Sequence, residues 1–162
     1  MKVLFLDHDG VICLQSQWGK RNSPKYKKLG EIFDPFCPKA IKVLNQIIDE
    51  TDCEIVISSD WRLYADLEYM IKMYKKRGIH KSPIAYTKVI DLGVVAPAFC
   101  RSVEINEFLK TNTSELNITH WVAVDDLNMS KNLTNFVHCD ECITEGIKKL
   151  GKKEAIIGFL KD

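Results

Sequence analysis

The sequence predicts a three-layer α/β fold built on a doubly wound parallel sheet, and three observations carry that prediction. Short apolar runs rich in Val, Ile and Leu alternate with longer stretches of helical periodicity. Three of those runs end in polar groups: Asp7 and Asp9 after residues 2–6, Ser58 and Ser59 after the run CEIVI, and Asp125 and Asp126 after WVAV. Parallel strands share one direction, so these ends converge on a single sheet edge, where open α/β sheets bind their ligands.

Taken in order, the first apolar run leads through DHDG into Val11 and Ile12, and Gly10 lets the backbone turn there. Residues 13–37 form an irregular basic insert. Lys20, Arg21, Lys25, Lys27 and Lys28 occur there without an acid among residues 20–28, interleaved with Trp18 and Tyr26, while Gly19, Pro24 and Gly30 discourage a long regular element. The insert reads as a flap beside the sheet edge. Pro38 is well placed as a first helical residue, with Ile41, Leu44, Ile47 and Ile48 on one face of the helix it opens. The strand CEIVIS completes a βαβ unit and ends in SSDWR; a helix with Leu63, Leu67, Met70, Ile71 and Tyr74 on one face then runs to Gly78. A short strand is expected at residues 84–86, a loop at 89–99, and a helix opened by Arg101 and Ser102 that continues through Lys110. A strand WVAV, a last short strand near 136–138 and helical segments near 144–150 and 153–160 close the chain.

At 162 residues the chain is expected to form a single domain spanning 1–162 with a sizeable core. Its 23 basic and 22 acidic residues leave a formal charge of +1, so no global field commits it to nucleic acid or to a membrane surface. Any electrostatic preference is local. Cys13, Cys37, Cys53, Cys100, Cys139 and Cys142 have no regular disulfide spacing, and no signal peptide or long apolar span is visible. Free thiols in a reducing cytoplasm are expected.

Four carboxylates, those of Asp7, Asp9, Asp125 and Asp126, cannot crowd at one sheet edge unneutralised. Their repulsion implies a bound cation, and an all-oxygen donor set suits Mg²⁺. A carboxylate nucleophile, a hydroxyl beside backbone amides, a guanidinium and a hard cation are together the parts needed for phosphoryl transfer through a covalent acyl phosphate.

On these residues the chain resembles the haloacid dehalogenase superfamily of phosphatases, a Rossmann-like fold, through four spaced motifs that span nearly its whole length. DHDGV looks like the first motif, which implies that Asp7 is the nucleophile and Asp9 the general acid and base. Ser58 matches the second motif, a hydroxyl that bonds the transferring phosphoryl group, with Ser59 beside it. Arg101 stands where the third motif usually has Lys, which preserves the charge and changes its geometry. Asp125 and Asp126 match the acidic fourth motif; the resemblance implies that Asp126 is the more direct metal ligand, with the Asp7 carboxylate and the Asp9 backbone carbonyl completing the protein's share. An aspartate at position 9 favours phosphate ester hydrolysis, since dehalogenating members lack it. SSDWR, the helix RSVEINEFL and the Asp-Asp pair are more narrowly similar to the small domain of this type in bacterial RNA repair ("Swiss Army Knife") proteins. That likeness implies a phosphatase acting on nucleic-acid ends or nucleotides, and carries Arg62 forward as a second phosphate-binding cation.

Neither gap between the first motifs has room for a full cap domain, only for the flap, so an open site and a large or extended substrate are expected. The flap's position and aromatics point to nucleic-acid contact, against the plainer reading of a solvated loop. The alternatives are a phosphoprotein phosphatase with the same site and a non-catalytic phosphate-binding module. His8 alternates away from Asp7 and reads as a packing residue. Cys139 and Cys142 have C-x-x-C spacing but no second ligand pair, so two ordinary thiols are expected rather than zinc. No membrane partner is expected, and the oligomeric state is not readable from the sequence.

Overall fold

Five parallel strands form the centre of the protein, whose structure, a computed structural model, describes residues 1–27 and 30–161. In chain order the elements are β1 (Lys2–Leu6), α1 (Pro24–Lys27), α2 (Pro38–Thr51), β2 (Glu54–Ile57), α3 (Leu67–Lys76), β3 (Pro83–Tyr86), α4 (Pro97–Asn112), β4 (His120–Asp125), β5 (Phe136–His138) and α5 (Lys152–Leu160). The strands lie in the order β3-β2-β1-β4-β5. The chain builds outward from β1 to β3 and then returns to the other side of β1, so the topological switch point falls between β1 and β4. This is the α/β, Rossmann-like sheet expected from the sequence.

Strand pleating divides the core. Leu4 and Leu6 of β1, Ile55 and Ile57 of β2, and Val122 and Val124 of β4 face one layer, filled by Leu44 and Ile47 of α2, Met70 and Tyr74 of α3 and Ile156 and Leu160 of α5. Val3 and Phe5, Val56 and Ala123 face the opposite layer, where Ile105 and Phe108 of α4 pack with Met129 and Leu133. Near-continuous apolar strands are therefore covered on both faces. Among the described residues, no helix is long and apolar enough to cross a membrane.

Three local expectations are corrected. The helix after SSDWR is interrupted: a 3-10 turn at Asp60–Leu63 precedes α3, which opens only after Asp66, whose carboxylate caps the Tyr69 amide at 2.8 Å. Leu63 is consequently 56% exposed instead of lying on the buried face. Pro97 begins α4 one turn before Arg101, because its fixed φ suits the first helical position. Arg101 thus sits inside the helix, not at its start. Within the 13–37 insert, two 3-10 turns and the short α1 stand where irregular chain is expected, and Cys13, Leu14, Phe33, Phe36 and Cys37 are buried, so both ends of the flap are anchored in the core. Lys28 of the flap lies outside the described residues.

Candidate active site

The backbone ladder delivers the site residues to the carboxyl edge. The Asp7 amide donates to the Val124 carbonyl at 3.1 Å and the Ser58 amide to the Leu6 carbonyl at 3.0 Å, which carries the sheet pairing one step past each strand. Asp7, Ser58 and Asp125 therefore emerge side by side across the switch point. Beyond Asp7 the chain coils tightly, with the amides of Val11, Ile12 and Cys13 all donating to the His8 carbonyl. Gly10 makes this turn possible: its φ is +71°, and a Cβ there would lie 2.5 Å from Asp126 Oδ2. Only a residue without a side chain lets the first loop approach the fourth-motif carboxylate this closely.

Asp7, Asp125 and Asp126 each place a carboxylate oxygen within 4.8 Å of the others. Burial raises the Asp7 carboxyl well above the usual range, the adjacent Asp125 carboxylate adds to the rise, and the Arg101 guanidinium offsets part of it. Asp125 is likewise pushed up by burial, to about 7, and Asp126 is raised for the same reason. Three carboxyls held up together mark a site where a cation would be strongly stabilised, and the donors are all oxygen, as a hard divalent ion requires. Among the described residues no amide donates to the Asp9 carbonyl, which remains available as a further oxygen donor.

Arg101 is the buried counter-charge. One terminal nitrogen donates to Asp7 Oδ1 at 3.3 Å, to Asp125 Oδ2 at 3.0 Å and to the Ser58 carbonyl, while the other reaches Asp60 Oδ1 at 2.9 Å. The two serines divide. Ser59 Oγ accepts from the Trp61 amide at 3.5 Å and bonds the Asp7 carboxylate, whereas Ser58 Oγ is buried without any partner among the described residues. A buried hydroxyl with no partner is costly unless a ligand completes it.

Asp9 lies slightly apart, facing an open cleft of about 810 Å³ that the flap walls on one side. The Trp61 indole N–H donates to Asp9 Oδ2 at 2.8 Å, and the Trp61 ring is stacked on Phe33 at 4.0 Å and on Phe36 at 5.3 Å. Burial raises the Asp9 carboxyl, against the lowering effect of the indole bond. His8, between the two aspartates, turns the other way as expected: it is buried, bonds the Tyr74 hydroxyl through Nε2 at 2.6 Å, and is pushed down to about 3 by burial.

Arg62 is not brought to this edge as a free cation. It is ion-paired to Glu104 at 2.5 Å and bonded to Thr87 at 3.0 Å, with only 4% of its side chain exposed. Of the flap's basic residues, Arg21 lines the cleft, while Lys25 lies over the Tyr26 ring at 5.5 Å. Cys139 is buried with its thiol raised by burial, Cys142 Sγ accepts from Gln15, and neither joins a metal-ligand group among the described residues.

With this geometry established, one family model matches residues 3–148, that of the HAD domain in Swiss Army Knife RNA repair proteins. The chain belongs to this family. The HAD domain is a phosphatase-type hydrolase fold, and the match runs from β1 past β5, covering all four motifs. No curated protein and no solved structure matches the chain. Sequence reasoning missed three residues of this HAD domain's site: Trp61, which holds Asp9; Asp60, which holds Arg101; and Glu104, which lies 3.9 Å from the Arg101 Nε and pairs with Arg62. The signal was present, since Asp60 and Trp61 sit inside SSDWR and Glu104 is one helical turn after Arg101.

Proposed function

We propose that this HAD domain is a Mg²⁺-dependent phosphomonoesterase that works through an aspartyl-phosphate on Asp7, with nucleic-acid ends or nucleotides as its leading substrates. The observation that carries the reading is the pairing of a three-carboxylate cluster at Asp7, Asp125 and Asp126 with a separate, raised carboxyl, Asp9, two residues past the first. Asp125 already accepts from the Leu127 amide through Oδ1 at 2.8 Å and from Arg101 through Oδ2, which supports Asp126 as the direct ligand and Asp125 as its brace. When bound there, the ion neutralises the phosphoryl oxygens as they approach three acids.

In the first half-reaction an Asp7 oxygen attacks phosphorus, the bond to the leaving oxygen breaks, and Asp9 gives that oxygen its proton. Ser58 Oγ donates to a phosphoryl oxygen, and Arg101 offsets the charge gathered beside it. In the second, Asp9 takes a proton from water as the water oxygen attacks phosphorus. The bond from Asp7 to phosphorus then breaks, returning the carboxylate and releasing inorganic phosphate. The family's description, which names RNA repair proteins, supports nucleic-acid ends over phosphoproteins. Arg62, enclosed with Glu104, fits a supporting role for the Arg101 helix better than direct phosphate contact.

Phosphate release from an aryl phosphate with Mg²⁺, measured for the natural chain, the Asp7→Asn variant and the natural chain with chelator, tests this reading. Turnover that vanishes in the variant and with chelator is expected, together with a phosphoryl adduct on Asp7 in acid-quenched protein. Equal rates in the natural chain and Asp7→Asn overturn it.

A further inference from the structure

The cleft beside Asp9 is built for a particular kind of leaving group. The group that Asp9 protonates must enter it, and its volume of about 810 Å³ lies within the range of small-molecule sites. Its aromatic rings are arranged in two zones. At the inner end, Phe33 and Trp61 are buried and stacked on each other with an interplanar angle of 4°, and the Trp61 N–H is committed to Asp9. At the rim, Trp18 is 52% exposed, Tyr64 74% and Ile32 44%. Trp18 belongs to the flap and Tyr64 follows the 3-10 turn after β2, so two separate segments offer accessible aromatic surface to one opening.

We propose that Trp18 and Tyr64 form a stacking subsite for the base of a nucleoside whose ribose carries the scissile phosphate. This rests on the phosphatase reading above. The exposed rings on this cleft are those of Trp18 and Tyr64, whereas Phe33 and Trp61 are buried against each other. A nucleoside phosphate suits this arrangement, because its sugar separates the base from the ester oxygen and lets the base reach the exposed rings while the oxygen stays beside Asp9. A tyrosyl phosphate carries its ring directly on the ester oxygen and lacks that reach. The lining charges narrow the ligand further. Among the described lining residues Arg21 is the one cation, against Asp34 and Asp60 besides Asp9, so the cleft disfavours a second phosphate within it. Both backbone bonds to Asp34, from Gly19 at 3.0 Å and Arg21 at 2.8 Å, hold the flap in the shape that presents Trp18.

The test compares kcat/KM for adenosine 3′- and 5′-monophosphate, ribose 5-phosphate, adenosine diphosphate and a phosphotyrosine peptide. The better adenosine monophosphate should exceed ribose phosphate by about tenfold or more, the gain a stacked base supplies. Trp18→Ala and Tyr64→Ala should each collapse that ratio, and Trp18→Phe should retain most of it, with thermal unfolding confirming that all three fold. Calorimetric binding of adenosine to the Asp7→Asn chain reads the cleft without turnover, and should be saturable and lost in the Asp7→Asn, Trp18→Ala double variant. A ratio near one, a ratio unmoved by both alanine variants, no adenosine binding, or a preference for the phosphotyrosine peptide or the diphosphate each overturns the subsite. Absence of Asp7-dependent turnover on every substrate, with adenosine binding intact, overturns the phosphatase reading instead.

Discussion

The two halves of this site solve opposite problems. On one side, Asp7, Asp125 and Asp126 bring three carboxyls together, and Arg101 pairs with two of them; the proposed function assigns a cation and a phosphate to this side. On the cleft side, the Asp9 carboxyl is set beside an aromatic wall and kept raised by burial, with one indole N–H to orient it. On the proposed reading, charge density serves attack at phosphorus, while the partly buried setting of Asp9 serves proton transfer to the departing oxygen. Asp7 and Asp9 are two positions apart in sequence, and their proposed roles differ because of what packs around them. The same division is visible in the helices: α4 supplies the guanidinium to the charged half, and the turn ahead of α3 supplies the indole to the other.

The largest expected effect lies on the charged side. Asp7→Asn should lower kcat on any phosphomonoester by about 10³-fold or more, since it replaces the proposed attacking carboxylate with a neutral, weakly nucleophilic amide. A residual rate near the natural one, measured by phosphate release, would place attack elsewhere.

Arg101→Met should come next, with a loss of about 3 kcal/mol in urea unfolding of the metal-free protein, because the buried Asp7 and Asp125 lose the guanidinium that pairs with both. Mg²⁺ should restore part of that stability. The raised Asp125 carboxyl adds a pH signature: a group raised to about 7 favours the fold while protonated, so stability of the metal-free protein contributed there falls as pH rises through 7, and Mg²⁺ should reverse the trend.

His8 marks the boundary between the halves. Its imidazole is neutral in the fold and pushed down to about 3 from 6.5, so the unfolded chain binds the extra proton between those values. Stability should therefore drop as pH falls from 6.5 towards 3, by about 1.4 kcal/mol per unit from this group alone. In His8→Asn the denaturation midpoints should depend less steeply on pH in that window; an unchanged slope would mean His8 is protonated in the native state.

The smallest effect sharpens the aromatic half. Trp61→Phe keeps a ring between Phe33 and Phe36 but loses the N–H on Asp9. Turnover of an alkyl phosphate, a poor leaving group, should fall by about tenfold, the loss of one hydrogen bond to an ionisable group. An aryl phosphate with a good leaving group should be nearly insensitive. Equal losses on both would show that Trp61 acts on the fold and not on Asp9.

The sequence by itself determined which strands run to a common edge and which acids they deliver. Apolar runs of strand length ending in Asp7, Ser58 and Asp125 are local patterns, and a parallel sheet leaves them only one edge to share. It also carried His8 away from Asp7 by simple alternation. Helix starts were less legible because capping competes with periodicity: Asp66 divides what apolar spacing reads as one helix, and Pro97 sets a start one turn before Arg101. Tertiary structure alone decided how the side chains are shared. That Arg62 pairs with Glu104, that Ser58 and not Ser59 keeps a hydroxyl unpartnered among the described residues, and that Trp61 reaches Asp9 across 52 residues all depend on contacts between distant segments. No spacing rule encodes those contacts. They follow from burial, which makes each polar group bond whatever partner the packed chain leaves within reach.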